Sequence, residues 1–396
     1  MMQISPETQL FIREHSSDDV RVLALQAKKY PDIDMPTAIT QIAGRKVAAE
    51  KIPSWWEIEK IWYPKHLSLE QCSSEITARY KARLLQGDSL TDLTGGFGID
   101  CSFLATGFKS ATYVERQEEL CEIAAHNFPV LNLNHINVRN EDGVAYLQTM
   151  SPVDCIFLDP ARRNEHGGKT VAISDCEPNV AELEELLLQK ANRVMIKLSP
   201  MLDLSLALKE LKQTQEVHIL SVNNECKELL ILLGQTSPAE ISIHCVNLFT
   251  KGTQKEQHFV FTREQEQCSE CTYTDSLETY LYEPNASLLK AGAFRSIAAA
   301  YPVRKLHPNS HLYTSDTFIE NFPGRIFRIV NQCSFNKKEV KENLADLKKA
   351  NVTVRNFPAT VAELRKRIHL AEGGDTYLFA STLNNGQKVL IRCEKV

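Results

Sequence analysis

Short apolar runs alternate with amphipathic stretches between Ser89 and about Gly234. The apolar runs have the length and composition typical of buried strands: Leu90–Asp92, Ala111–Glu115, His135–Arg139, Cys155–Asp159, Arg193–Lys197 and Val217–Val222. Helical spacing is found between them: Phe103–Thr106, Glu118–Phe128, Gly143–Thr149, Val180–Ala191 and Leu204–Leu211. Because each parallel strand requires a crossover before the next, this order predicts a parallel sheet with helices on both faces.

The end of this sheet is expected to differ from the rest. The strand-like runs His218–Val222 and Glu228–Leu233 are separated only by Asn223–Lys227. So short a connection permits an antiparallel pair but not a parallel crossover. We therefore predict a parallel sheet that finishes in an antiparallel hairpin. Nicotinamide-binding sheets, in contrast, are parallel throughout.

The flanking segments have other patterns. Residues 1–86 are predicted to be helical, with helices over Pro36–Ala49 and Ser68–Leu85. Ile241–Phe249 and Gln257–Thr262 indicate a further hairpin, and Tyr280–Tyr301 is predicted to be mostly helical.

The carboxyl-terminal residues favour a β-α-β-α-β-β module. Its predicted elements are, in order, Arg325–Val330, Lys337–Ala350, Val352–Arg355, Val361–Ala371, Tyr377–Ser381 and Lys388–Cys393. Both helices begin with capping boxes, Asn336 with Glu339 and Thr360 with Glu363. We predict an α/β fold in four parts: an N-terminal helical domain (1–86), a Rossmann-like seven-stranded sheet domain (87–265), a helical connector (266–315) and an α+β domain (316–396).

Composition describes an ordinary globular protein of 396 residues, 43% hydrophobic and 24% charged. The amino terminus lacks the order of a signal peptide, and no apolar run approaches the roughly 20 residues of a membrane span. Eleven cysteines without framework spacing fit buried thiols in a reducing cytoplasm. We therefore expect a cytoplasmic protein that does not associate with a membrane. Cys268 and Cys271 have no second ligand pair at zinc-site spacing, so two loop thiols, and no metal, are expected.

Charge is distributed unevenly. The net charge is −5, but residues 316–396 contain 14 Lys plus Arg and nine Asp plus Glu, which makes them +5 and the remainder −10. A basic segment on an acidic chain is consistent with a phosphate-facing surface, and equally with a solvated face. Trp55, Trp56 and Trp62 could stack on bases, although clustered tryptophans more often pack in a core.

A glycine turn follows the first strand. Asp92-Leu93-Thr94-Gly95-Gly96-Phe97-Gly98 allows close approach of a ligand to the backbone, and Glu115 at the end of the second strand could accept hydrogen bonds from both ribose hydroxyls. A dinucleotide fingerprint would need glycine at position 101, which is Cys101. Asp92 would also oppose a pyrophosphate, whereas it suits the cationic groups of S-adenosylmethionine.

Two further acids follow later strands. Asp142 could accept from the adenine amino group, a role compatible with capping the next helix. Asp159-Pro160-Ala161-Arg162-Arg163 stands at the end of the fourth strand.

With these motifs, residues 89 to about 234 resemble the class I S-adenosylmethionine-dependent methyltransferases, and the whole chain resembles the bacterial methyltransferase-related family with a THUMP-like carboxyl-terminal domain. The resemblance implies S-adenosylmethionine as cofactor and RNA, usually tRNA or rRNA, as partner of the basic carboxyl-terminal domain. It implies a catalytic group of Asp159, Pro160 and Arg162. The implied cofactor-binding residues are Asp92, Thr94, Gly95, Gly96, Phe97, Gly98, Glu115, Arg116, Asp142, Gly143 and Asp159.

The residues around Asp159 depart from the family's usual motifs. Enzymes that methylate exocyclic base amines often have a second proline and an aromatic residue where this chain has Ala161 and Arg162. Uridine C5 enzymes need a cysteine near the end of the next strand, and Met195–Met201 contains none. Two routes remain: methyl transfer to a nitrogen of a base, or methyl transfer to an acceptor that is not a nucleobase. We expect Asp159 to orient the acceptor nitrogen, Arg162 or Arg163 to bind a phosphate or form a surface ion pair, and Lys197 to line the pocket.

Three functions therefore compete, and the expected one is methyl transfer to a nitrogen of a base in structured RNA. The alternatives are a non-catalytic RNA-binding protein with a degenerate methyltransferase domain and a small-molecule methyltransferase. A nicotinamide oxidoreductase is disfavoured by Cys101 and the antiparallel finish. Ser73–Lys81 precedes the first strand closely enough to cover the methionine end of the cofactor, and helix packing explains it equally well.

Overall fold

The protein, analysed as a computed structural model, is described over residues 4–162, 172–236 and 238–396. The chain forms two compact units. The first comprises Met1–Gln215 with Leu229–Pro238, and the second comprises Glu216–Glu228 with Ala239–Val396. None of the helices in the described ranges is both long enough and apolar enough to cross a membrane. Each of the eleven cysteines is a free thiol.

The first unit begins with helices, as predicted. They are α1 (Pro6–Glu14), α2 (Val20–Leu25), α3 (Met35–Lys51), α4 (Pro53–Trp56), α5 (His66–Gln71) and α6 (Glu75–Ala82). The single helix predicted over Ser68–Leu85 is wrong, because Cys72 and Ser74 adopt extended backbone and separate α5 from α6. The break places the Ser73 hydroxyl 2.7 Å from Asp100 Oδ2, a tertiary contact that helical periodicity does not reveal.

Strands and helices alternate from Ser89 onward. The elements are β1 (Ser89–Asp92), α7 (Ile99–Ala105), β2 (Ser110–Glu115), α8 (Glu118–Val130), β3 (Ile136–Asn140), α9 (Gly143–Thr149), β4 (Val153–Leu158), β5 (Ala161–Arg162), β6 (Cys176–Glu177), α10 (Val180–Lys190), β7 (Ala191–Leu198), α11 (Leu204–Glu210), β8 (Thr214–Val222), β9 (Glu225–Gly234), β10 (Ser242–Leu248) and β11 (Glu256–Thr262). The six predicted strands and five predicted helices of this region are confirmed to within about four residues at each end.

One sheet contains nine of these strands in the order β3-β2-β1-β4-β7-β9-β8-β10-β11. Strands β1, β2, β3, β4 and β7 are parallel, and β9 runs antiparallel to β7, as predicted. Asn223 and Asn224 both have positive φ and form the tight turn between β8 and β9. The seven strands of the methyltransferase arrangement are thus extended by the predicted hairpin of β10 and β11.

The carboxyl ends of β1 and β4 lie side by side, because Asp92 pairs in register with Phe157. Ligands of open parallel sheets bind at this edge, where loops leave neighbouring strands. The loops that follow Asp92 and Leu158 are consequently brought together.

The rest of the second unit contains a seven-stranded sheet and its helices. The elements are α12 (Arg263–Cys268), β12 (Tyr280–Pro284), α13 (Ala286–Ala291), α14 (Ser296–Ala300), β13 (Arg304–Lys305), β14 (Tyr313–Ser315), β15 (Gly324–Ser334), α15 (Lys337–Leu344), β16 (Lys349–Val354), α16 (Val361–Ile368), β17 (Ala371–Thr382) and β18 (Lys388–Lys395). The order in the sheet is β13-β14-β12-β15-β18-β17-β16. The predicted β-α-β-α-β-β module is confirmed as β15 to β18 with α15 and α16.

Two helix predictions in this unit are wrong in part, although α13 and α14 lie within the predicted Tyr280–Tyr301 and α15 lies within Lys337–Ala350. Tyr280–Pro284 is a strand, because it pairs with β14 on one side and β15 on the other. The helix predicted to reach Ala350 ends at Leu344, because Lys349–Val354 pairs with β17. In both segments, pairing within the sheet overrides the local preference.

The capping predictions have different outcomes. Thr360 and Glu363 form the full reciprocal box at α16. Asn336 caps α15 by accepting from the Glu339 amide at 2.9 Å. The Glu339 carboxylate does not return to the Asn336 backbone, however; it accepts instead from the Ser334 amide and from the Asn336 side-chain amide, each at 2.7 Å.

Candidate active site

The glycine turn between β1 and α7 requires glycine for two physical reasons. Gly96 and Gly98 have φ values of +54° and +86°, which side chains with a Cβ rarely adopt. At Gly95 a Cβ would lie 2.2 Å from the Tyr113 ring. The Gly98 amide donates to the Gly95 carbonyl at 2.9 Å and closes the turn. The backbone therefore forms a close wall at the carboxyl end of β1.

A cleft lies against this wall. Its lining residues come from the α5–α6 break, the glycine turn, the start of α7, and the ends of β4 and β7: Cys72, Ser73, Asp92, Thr94, Gly95, Gly96, Phe97, Gly98, Ile99, Asp100, Phe157, Asp159 and Lys197. The structure thus brings together Asp92, Thr94, Gly95–Gly98 and Asp159 from the predicted set, and it places Lys197 beside them, as expected.

Asp92 is the most deeply buried carboxylate of the cleft, with 1% of its surface exposed. Oδ1 accepts from the Thr94 amide at 3.0 Å, whereas Oδ2 has no hydrogen-bond partner among the described residues. Burial raises the pKa of Asp92 well above its usual range; the Thr94 amide opposes this shift, and Asp100, Asp159 and Glu115 reinforce it. The cleft therefore contains an acid whose charged form is disfavoured by burial and by its acidic neighbours.

Thr94 connects the loops after β1 and β4. Its hydroxyl accepts from the Asp159 amide at 2.6 Å, while its own amide donates to Asp92. The two predicted acids are therefore held on either side of one threonine.

A second group of residues at the cleft is charged. Asp100 Oδ1 lies 2.9 Å from Lys81 Nζ, and Asp100 Oδ2 lies 3.3 Å from Lys197 Nζ. The Ser73 hydroxyl donates to the same carboxylate at 2.7 Å and accepts from Lys81 at 2.8 Å. Burial would raise the pKa of Asp100, but the two lysines outweigh it and hold the pKa at about 2.

Asp159 belongs to this charged group. Its Oδ2 lies 2.5 Å from Lys197 Nζ, and 36% of its side chain remains exposed. Lys197 thus bridges Asp159 and Asp100, and the four charges of Lys81, Lys197, Asp100 and Asp159 balance. Pro160, directly after Asp159, is buried.

Glu115 lies beside the turn but is engaged with backbone. Its two carboxylate oxygens accept from the Gly96 amide at 2.9 Å and from the Gln117 amide at 2.8 Å. The carboxylate therefore stabilises the glycine turn, and each oxygen retains a second lone pair for a ligand.

The remaining predicted residues lie outside the lining of the cleft. Asp142 caps α9 by accepting from the Val144 and Ala145 amides, each at 3.0 Å, so its structural role is present. A Cβ at Gly143 would lie 2.1 Å from the Leu93 carbonyl oxygen, which explains this glycine by packing. Arg116 is exposed and pairs with Glu177 at 3.1 Å. Arg162 ends β5 and pairs with Cys176 of β6, and Arg163 lies outside the described residues.

The tryptophans mainly pack, as the more common alternative predicts. Trp55 is 2% exposed and meets Phe97 edge-on, with ring centroids 5.2 Å apart. Trp62 stacks on His126 at 3.7 Å, and Trp56 is 41% exposed. Phe97 is therefore fixed in the glycine turn by the helical segment before it.

Sequence reasoning missed Asp100 as a site residue and treated Ser73 and Lys81 only as part of a cover. Asp100 carries a local signal, an acid in the first turn of the helix after the glycines, but this signal also describes an ordinary helix start. Its partners, Lys81 and Lys197, are distant in sequence, and only the fold brings them together.

A known protein is similar to this chain over its full length, and two domain models match its carboxyl-terminal part. A ferredoxin-like domain model matches residues 280–323, and a THUMP domain-like model matches residues 324–395. A crystal structure described as a candidate methyltransferase from Porphyromonas gingivalis W83 is 34% identical, covers 100% of both chains and has a TM-score of 0.88.

Weaker likenesses cover only part of the chain. An rRNA methylase from Streptococcus thermophilus is 15% identical over 40% of this chain and 93% of its own, with a TM-score of 0.30. A candidate methyltransferase from Streptococcus mutans, solved with SAH, is 12% identical over 40% and 96%, also with a TM-score of 0.30. No curated protein matches the chain. From the full-length likeness and the two domain models, the chain belongs to the family of class I S-adenosylmethionine-dependent methyltransferases with a THUMP-like carboxyl-terminal domain.

Proposed function

We propose that this chain transfers a methyl group from S-adenosylmethionine to a nitrogen of a base in structured RNA, either tRNA or rRNA. The observation that carries the proposal is the buried Oδ2 of Asp92, which lacks a partner among the described residues and lines the glycine cleft. A buried carboxyl oxygen without a partner costs about 1–3 kcal/mol, so a cationic ligand at this position would relieve a cost of the free protein.

The residues of the cleft fit S-adenosylmethionine, which supplies a methyl group on a positively charged sulfur. Asp92 would face its cationic methionine end. The glycine turn Gly95–Gly98 would approach the ligand through its backbone, and the free lone pairs of Glu115 would accept from the ribose hydroxyls. Asp142 stays a proposed adenine contact beyond the cap that it makes. Arg116 and Gly143 support this arrangement only indirectly, through the ion pair and the packing described above.

On the acceptor side, Asp159 is the residue proposed to position the nucleophile. Its exposed fraction leaves room for a hydrogen bond from an acceptor N–H, which would orient the nitrogen lone pair toward the methyl group. Methyl transfer from a sulfonium needs alignment more than proton transfer, because the leaving group requires no protonation. Lys197 would fix the Asp159 carboxylate, and Pro160 would fix the backbone beside it. The phosphate contact of Arg162 stays a prediction, because the side chain of Arg162 lies outside the described part of the structure.

Exposed cations support RNA as the substrate. Lys337, Lys338 and Lys341 lie on α15, and all three are exposed. Lys366 on α16 and Lys348 before β16 are exposed as well, and these five form no described ion pair. Leu344 of α15 and Leu364 of α16 are buried in one core, whereas the lysine side chains are exposed. Such a surface attracts a polyanion without reading its sequence.

Cofactor binding is tested first. Calorimetry with S-adenosylmethionine should detect binding to the native chain, and Asp92→Asn should weaken it by about 10–150-fold, the equivalent of about 1.5–3 kcal/mol. Asp88→Asn is the matched control, since Asp88 is an exposed acid at the other end of β1. No binding to the native chain would exclude a methyltransferase, and equal loss in both variants would exclude the role of Asp92.

The substrate is tested with labelled S-adenosylmethionine and total RNA from cells lacking the protein. We expect label in one tRNA or rRNA species, on a base nitrogen identified after nuclease digestion. RNA binding without transfer would favour a non-catalytic RNA-binding protein. Transfer to small metabolites but not to RNA would favour a small-molecule enzyme.

The basic surface has its own test. Replacing Lys337, Lys338 and Lys341 together by Gln should weaken RNA binding and lower the salt dependence, by roughly 0.7 in slope for each lost phosphate contact to a single strand. S-adenosylmethionine binding should stay unchanged. An unaltered salt slope would show that RNA binds elsewhere.

A further inference from the structure

Three histidines lie on β8, β10 and β11, the last three strands in the order of the nine-stranded sheet given above. Glu216 and His218 are two positions apart on β8, so their side chains point to the same face. His218 pairs in register with His244 of the parallel neighbour β10. The imidazole rings stack, with centroids 4.3 Å apart and an angle of 18° between their planes. All three residues belong to the second compact unit.

The distances among these side chains fit a metal site. His218 Nε2 lies 3.3 Å from Glu216 Oε2, and one ligand atom from each of Glu216, His218 and His244 can be chosen so that all three lie within 4.8 Å of one another. Ligands held 2.0–2.1 Å from a tetrahedral ion are about 3.4 Å apart. The first pair already has this spacing. The lone pairs of imidazoles lie in the ring planes, so the His244 ring would have to turn out of its stack on His218 to share the ion.

A fourth side chain orients His244. Nδ1 of His244 lies 3.1 Å from Nε2 of His258 on β11. If His244 donates its Nδ1 proton to His258, its Nε2 keeps a lone pair for a metal. Ligating histidines commonly have their second ring nitrogen fixed in this way by an outer partner.

We propose that Glu216, His218 and His244 bind a divalent transition-metal ion, with Zn²⁺ as the best match. Two imidazoles and one carboxylate form a donor set suited to zinc and its neighbours, whereas Mg²⁺ and Ca²⁺ prefer oxygen donors alone. His218 is 2% exposed, while Glu216 and His244 are half-buried, so the ion would be reached from the solvent side and keep a position for water. The ion would link β8 to β10.

Two alternatives would behave differently when metal is added. In one, the imidazoles only pack and hydrogen-bond across the strands, and the chain binds no metal. In the other, any metal bound by the chain goes to the thiols of Cys268 and Cys271, which are exposed and half-buried, respectively. Variants at the two places separate all three possibilities.

The experiment uses the full chain, stripped with a chelator, dialysed and titrated with Zn²⁺ alone, with bound metal counted by elemental analysis. We expect one Zn²⁺ per chain. Glu216→Gln and His244→Ala should weaken binding by more than about 100-fold, and His258→Ala by about 10–100-fold, as expected for an outer partner. The double variant Cys268→Ser/Cys271→Ser is the control and should bind as the native chain does.

Three results would overturn the proposal. They are no Zn²⁺ binding by the native chain at micromolar concentration, unchanged binding by Glu216→Gln and His244→Ala, and loss of binding in the double cysteine variant. Circular dichroism in chelator identifies a variant that fails to fold. Glu216→Gln keeps the side-chain shape and therefore provides the measurement if His244→Ala is unstable. S-adenosylmethionine binding should be the same in all these variants, which makes this result independent of the proposed function.

Discussion

Two buried carboxyl groups that line the glycine cleft have pKa values shifted in opposite directions. Asp92 and Asp100 are eight positions apart, and they are 1% and 9% exposed. Burial raises the pKa of Asp92 well above its usual range. The pKa of Asp100 is about 2, although burial acts on it in the same direction, because Lys81 and Lys197 outweigh burial. The partners of a buried acid, more than its depth, therefore decide its ionisation.

This difference assigns the two sides different tasks in the proposed reaction. The acceptor side contains charges that balance one another before any ligand binds, so it can be rigid. The cofactor side contains an acid whose charged form is disfavoured by burial and would be stabilised by a cationic ligand. Substitutions in the ion pairs, at Asp159 and at Asp92 test this difference.

The largest effect is expected at the buried lysine of the acceptor side. Lys81 is fully buried and lies 2.9 Å from Asp100. Lys81→Met should lower the free energy of unfolding by about 3–5 kcal/mol, because it leaves a buried carboxylate with one cation fewer. Urea unfolding measures the change. The double variant Lys81→Met/Asp100→Asn should recover part of the loss; if it recovers none, the pair does not carry the stability.

Much of the sheet could be predicted from sequence because its information is local. Strand β7 is almost continuously buried, as expected for a strand covered on both faces, and its apolar run is visible directly. The link Asn223–Lys227 likewise predicted the antiparallel pair at the end of the sheet, because it is too short for a parallel crossover. Tyr280–Pro284 was missed because its state is set by two neighbouring strands that lie far along the chain.

The candidate site divides in the same way. Asp92, the glycines and Asp159 follow strand ends, so the rule for parallel sheets is enough to predict that they lie at one edge. Asp100, Lys81 and Ser73 could not be predicted as a group. Their contacts depend on the break between α5 and α6, which interrupts an otherwise regular helical pattern at Cys72–Ser74.

The second effect is expected on turnover. Asp159→Asn should lower methyl transfer by about 10–150-fold, since it weakens a charged hydrogen bond worth about 1.5–3 kcal/mol to the acceptor. S-adenosylmethionine affinity should stay within about twofold, because Asp159 is assigned to the acceptor. Single-turnover transfer and calorimetry separate the two. Unchanged turnover in Asp159→Ala would remove Asp159 from the mechanism.

The third effect concerns the pH dependence of cofactor binding. Because burial raises the pKa of Asp92, a cationic ligand that stabilises its carboxylate would bind with release of a proton at pH values below that raised pKa. Affinity should therefore rise with pH, by at most about tenfold per unit, between the ordinary carboxyl range and the raised pKa of Asp92. Calorimetry in buffers of different ionisation enthalpy should detect the released proton. Asp92→Asn should bind weakly and without this slope; a slope retained in that variant would assign the proton to another group.

The smallest effect is a pair of opposite slopes in stability. Asp92 has a raised folded pKa, so its contribution to stability is full at low pH and is lost as pH rises through that pKa. Asp100 has a depressed folded pKa, so its contribution is present above the ordinary carboxyl range and is lost as pH falls toward about 2. Unfolding of the ligand-free protein from pH 3 to 7 should show Asp92→Asn at least as stable as the native chain near pH 7, whereas Asp100→Asn should be less stable there. If both variants shift in the same direction at both pH values, the two sides of the cleft do not differ in ionisation, and the tasks assigned to them lose their physical basis.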